Sequence, residues 1–98
     1  MIVLKLALVY YQEQENLNTK EVLNRMKEEF EKEDWELAAL IVDQINSYDN
    51  LMIMITKELV KADILYLYSK SNITDDFYWN LLCQTSKIEN VSIKEYLK

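Results

Sequence analysis

Apolar side chains along this chain fall into successive runs, each closed by a short polar stretch, and the spacing within most runs is helical. The first run, Ile2 to about Gln14, is apolar nearly all round, with Lys5 and Gln12 as one thin polar row at i, i+7. It predicts a buried helix. A β-strand is the rival reading over residues 2–11, because periodicity does not separate a short all-apolar helix from a buried strand. Glu15-Asn16-Leu17-Asn18 reads as a turn. Asn18 then serves as an N-cap with Glu21 three positions on, and Val22, Leu23, Met26 and Phe30 form the apolar stripe of a second helix.

Asp34 reads as the next cap, opening a helix over 35–46 in which Trp35, Ala38, Val42 and Ile45 share a face widened by Leu37 and Ile41. After Ser47-Tyr48-Asp49-Asn50, another helix is expected over 51–62. Asp63 interrupts apolar sequence with no counter-charge at i±3 or i±4. A buried unpaired carboxylate costs several kcal/mol, so Asp63 is expected to be exposed or to cap a short helix over 64–70. Thr74 caps a helix over 75–86, with Asp76, Asn80, Gln84 and Lys87 as its wet stripe and Phe77, Trp79, Leu81 and Leu82 turned inward. Ser92-Ile93-Lys94-Glu95 matches a capping box, and Val91 can staple onto Tyr96. No heptad persists beyond two turns, so the pattern predicts an all-α fold: a compact bundle of five or six short helices in one domain over residues 1–98.

Composition strengthens that expectation. The chain has no glycine and no proline, and the favoured hairpin turns need positive φ, which glycine supplies at least cost. Charge narrows the partners. Net charge is −6, and the whole excess lies in the first half, with 11 acids against 5 bases in residues 1–49. Affinity for phosphate comes largely from clustered Lys and Arg, so no direct nucleic-acid binding and no anionic membrane surface are expected. The apolar start of the chain is too short to span a bilayer and lacks a cationic flank and a cleavage site, which points to the cytoplasm. Cys83, the sole cysteine, fits a reducing compartment and a structural thiol.

Candidate chemistry is sparse. Without histidine the commonest general base and metal ligand is missing, and without glycine there is no phosphate-cradling loop. No catalytic residue, metal or cofactor is expected, and no enzyme. One feature rises above background: Glu28, Glu29, Glu31, Glu33, Asp34 and Glu36 sit within nine residues beside a single base, Lys32. As an acidic ridge it would steer association with a basic surface on another protein. As a plain solvated helix face it is supported by the i, i+4 pairs Glu21–Arg25, Arg25–Glu29, Lys27–Glu31 and Glu28–Lys32. A second surface is suggested by the apolar excess of residues 1–11 and 51–68, where Tyr10, Tyr11, Tyr66 and Tyr68 suit an interface and a homodimer.

The expected function is a non-enzymatic protein-binding module that occupies a partner's basic surface, as inhibitors, immunity proteins, antitoxins and phage anti-defence proteins do. One alternative is an assembly component that self-associates through the apolar segments. A second is a small helix-turn-helix regulator, disfavoured by a last helix with Lys94 and Lys98 and no arginine. Richness in Ile, Asn, Lys and Tyr points to an AT-rich bacterial or phage genome.

Overall fold

The structure, a computed structural model, describes residues 4–97. It overturns the all-α helical-bundle expectation. The chain is an α/β fold in which a four-stranded sheet, every strand parallel to its neighbours, carries helices on both faces. The order along the chain is β1 (Lys5–Gln12), α1 (Thr19–Phe30), β2 (Trp35–Asp43), α2 (Asp49–Ile53), β3 (Ile64–Leu67), α3 (Asp76–Ile88) and β4 (Ser92–Glu95). Across the sheet the order is β2-β1-β3-β4. α2 does not stop at Ile53 but continues in π geometry through Met54–Glu58 and in 3-10 geometry through Leu59–Lys61. Thr56 sits in that wider turn, its hydroxyl donating to the carbonyls of Met52 and Ile53 at 3.0 and 3.2 Å, a back-bond that disturbs α-helical pairing.

Two physical reasons explain why strands read as helices. Parallel strands covered on both faces carry near-continuous apolar runs instead of alternating ones. β1 is buried from Ala7 to Gln12, and all four residues of β3 are buried. The missing glycine also excludes less than it suggests. Parallel strands are joined by helical crossovers and never by two-residue hairpins, so the turns that most need glycine do not occur. The two left-handed positions among the described residues fall on Asn46 (φ 62°) and Asn90 (φ 58°), the side-chain type that best tolerates that region after glycine. The expected helices over 35–46 and 64–70 and from Ile93 on are thus β2, β3 and β4, and residues 5–12 take the rival strand reading. Ile2 and Val3 of the opening run lie outside the described residues.

α1 and α3 do form where their patterns place helices. The Asn18 side chain accepts from the Glu21 N–H at 3.0 Å, and Asp75 (one residue past Thr74) caps α3 by accepting from Phe77 N–H at 2.8 Å. Strand alternation sorts the core into two clusters. On one face Leu8, Tyr10, Leu65 and Leu67 pack against Leu51, Met54 and Leu59 of the second helical segment and Leu82 of α3. On the other, Val9, Tyr11 and Tyr66 pack against Val22 and Met26 of α1. Two helical segments therefore cover one face and a single helix covers the other. No helix among the described residues is long and apolar enough to cross a membrane.

Candidate functional site

In open parallel sheets the usual ligand position is the crevice at the carboxyl ends of the strands, where the strand order reverses. Here that point lies between β1 and β3, and the chain's own side chains close it. Asn72 accepts from the Gln12 N–H and donates to the Gln12 carbonyl, both at 2.8 Å, prolonging the β1–β3 ladder with a side chain. The Gln12 amide donates to the Ser47 carbonyl at 2.8 Å. Asp43 is buried at the end of β2, where it accepts from the Tyr10 hydroxyl and from the N–H groups of Asn50 and Leu51, each at 2.9 Å. Burial first, and then the bond to Asp43, drives the Tyr10 phenol well above its ordinary value. These groups lock β1, β2 and the start of α2 together. Among the described residues no cluster of acids or cysteine could hold a metal.

The more open site lies on the α1 face. With one helix on that face, the part of the sheet over β3 and β4 has no helical layer. An aromatic floor runs to it from the end of α1 and the start of β2. Trp35 stands edge-on to Phe30 and to Tyr66, at centroid distances of 5.4 and 5.6 Å, and Tyr68 stacks on Tyr96 at 5.9 Å. The Trp35–Tyr66 contact spans β1, where the residue on that face is the small Ala7. Around the floor opens a cleft of about 590 Å³ whose rim carries Glu29 and Glu33 on one side and Lys94 and Glu95 on the other.

Glu29 and Glu33 lie across this cleft from Lys94, while Glu95, the next residue of β4, turns its carboxylate toward the opposite face by strand alternation. Glu95 is partly engaged, accepting from the Lys70 N–H at 2.6 Å, and Glu29 accepts from the Lys32 ammonium at 3.0 Å on the exposed side of α1. Burial, with the charge of Glu29, the Tyr96 phenol and the charge of Glu33 behind it, pushes the Tyr66 phenol up to about 12. The ridge carboxylates thus act electrostatically on the floor. An aromatic surface under carboxylates is suited to a Lys or Arg side chain, which gains ion pairing from the rim and cation–π attraction from the rings.

The ridge residues separate in the structure. All six are exposed, but only Glu29 and Glu33 line the cleft, while Glu31 lies at a second groove between α1 and β2. Asp34 lies in the turn before β2 and caps no helix there. Glu36 points, by strand alternation, to the face opposite Trp35. Of the expected helical pairs, Lys27–Glu31 forms at 3.9 Å, and Lys32 turns to Glu29. Tyr10 and Tyr11 are fully buried and Tyr66 is 5% exposed, so these rings are core and floor, with the half-buried Tyr68 reaching the surface. Phe77, expected inside, is 63% exposed. Asp63 is exposed and accepts from the Leu6 N–H at 2.9 Å, joining the entry of β3 to β1. Burial raises the Cys83 thiol, consistent with a structural role.

Trp35, Lys94, Glu95 and Tyr96 are cleft residues that sequence reasoning missed, and no local signal marks them: they meet only because β1 lies between β2 and β3. No family model, curated protein or solved structure matches this chain, so a functional reading rests on its own residues.

Proposed function

We propose that this chain is a non-enzymatic protein-binding module that occupies a basic surface of a partner, with the acidic, aromatic cleft as its contact site. The observation that carries this reading is that Glu29 and Glu33 line a cleft floored by Trp35 and Tyr66, beside the part of the sheet that has no helix above it. Acidic groups on a solvated helix face need no aromatic floor beneath them, whereas a site for lysine or arginine uses both. The cytoplasm is the proposed compartment.

The test uses the intact chain and a short Lys/Arg-rich peptide, with Trp35 fluorescence as the reporter. Wild type is expected to bind, and affinity is expected to fall at least tenfold between about 0.05 and about 0.5 M salt as exposed charges are screened. Glu29→Lys/Glu33→Lys should abolish binding, while Glu36→Lys, on the opposite face, should leave most of it. Equal binding by all three proteins would remove the proposal.

A further inference from the structure

We infer that the free edge of β2 is the surface through which two copies of this chain pair, strand against strand, into one continuous sheet. The inference stands apart from the cleft and concerns the other end of the sheet.

β2 is an edge strand of nine residues, bonded to β1 on one side only. Its segment Leu37–Val42 is apolar throughout, with no charge and no proline. Long apolar edges are normally blunted by charge, proline, brevity or cover, because unpaired N–H and C=O groups template another strand. β2 has two such devices, the exposed Glu36 near its start and then a bulge where the register with β1 shifts between Ala7 and Leu8. Beyond it, Ala39–Val42 runs regularly to Asp43.

Both flanks of this edge are prepared for side chains. On the α1 face a groove of about 480 Å³ opens between α1 and β2, with Leu23 and Phe30 on the helix side and Leu37 and Leu40 on the strand side. On the opposite face a groove of about 330 Å³ lies between β2 and α2, walled by Ile41, Ile53 and Met54. Leu37 is 52% exposed, Leu40 49% and Ile53 51%. A strand laid on the edge sends alternate side chains to opposite faces, and a groove waits on each face.

The occupant is a second copy on two grounds. First, a chain of net charge −6 can approach itself only where charge is absent. Between Glu36 and Asp43 the edge has none, the Lys27 and Glu31 at the α1 groove form a pair at 3.9 Å, and Glu58 is the one carboxylate that lines the opposite groove. Second, the area suffices. Nine residues span about 30 Å, and with about 10 Å of side-chain layer on each face the wall is roughly 600 Å² per copy. Exposed Ile45 and Ile53 beside it bring the contact near the roughly 800 Å² per partner of a stable interface.

Antiparallel pairing places a two-fold axis perpendicular to the sheet, so both α1 helices, and both clefts, face the same way. A dimer would therefore offer two acidic clefts to one basic surface and gain avidity.

Sedimentation equilibrium from micromolar to submillimolar protein tests this. The mass is expected to rise from 11.8 kDa to that of two chains, and Leu37→Lys/Leu40→Lys is expected to stay monomeric with unchanged circular dichroism. Ile88→Lys, 76% exposed and away from the edge, should still dimerise. Hydrogen exchange on wild type needs no variant to fold: amide protection across Ala39–Val42 should rise with concentration. A monomer throughout, a dimer that survives Leu37→Lys/Leu40→Lys, or protection that ignores concentration would each overturn the pairing. Glu29→Lys/Glu33→Lys is expected to dimerise normally, so failure of the cleft reading and failure of this one give different results.

Discussion

The two edges of the sheet are built on opposite plans. β4 has four residues, includes Lys94 and Glu95, and leads into a stacked tyrosine pair. β2 has nine residues, six of them consecutive and apolar, with half-exposed leucines beside it. The first edge is short and charged, as edges that must not pair usually are. The second is long and neutral from Leu37 to Val42. Its charged residues are Glu36 near the start and the buried Asp43 at the end. The contrast separates two kinds of contact on one small chain: a polar cleft that would read charge beside β4, and a backbone edge that would accept a strand at β2.

Each edge strand is followed or ended by a carboxylate that accepts backbone N–H groups, and the sharpest way to separate the edges is to remove each. Asp43 is 2% exposed and holds three donors, two of them at the start of α2. Asp43→Ala strands the Tyr10 hydroxyl and the first turn of α2, and is expected to cost about 3 kcal/mol. Glu95 holds one backbone donor in a half-exposed position, and Glu95→Ala should cost about 1 kcal/mol or less. Urea unfolding of both variants measures the difference. Equal losses would mean that the Asp43 network is not what anchors β2 to α2.

Some of this was legible in the residues and some was not, and the division is physical. α1 was legible because its signals are local: Asn18 and Glu21 lie three apart, and Val22, Met26 and Phe30 keep a helical period on an otherwise polar segment. α3 was legible to within two residues for the same reason. β1 and β3 were not, since burial on both faces erases the alternation that marks a strand. Ser92–Glu95 was misleading in a different way. It has the residues of a capping box, yet the Glu95 carboxylate reaches the Lys70 N–H and the segment pairs with β3, so tertiary pairing overrides a local motif. The charge of the candidate site could be read along the chain at Glu29 and Glu33. Its floor could not, because Trp35 and Tyr66 become neighbours only through the strand order.

The smallest expected effect probes the cleft through its own tyrosine. The Tyr66 phenol is raised from an ordinary 10.0 to about 12, and the Tyr10 phenol is raised further still. Below pH 10 both are neutral in the folded and the unfolded chain, and neither changes stability with pH. Above pH 10 the unfolded chain releases protons that the folded chain keeps, so stability falls as pH rises. The share from Tyr66 is lost across pH 10 to about 12, and Tyr66→Phe should make the decline over that range shallower. Glu29→Gln/Glu33→Gln removes two charges that oppose phenolate formation without touching the Asp43 network, so Tyr66 should then titrate closer to its ordinary value. Following phenolate absorbance in wild type, Tyr66→Phe and the double Gln variant isolates that titration. A Tyr66 curve that does not move when the two carboxylates are neutralised would show that they do not act on the floor. The ridge would then be a solvated face beside the cleft and not its rim, and only the β2 edge would remain as a surface shaped for a partner.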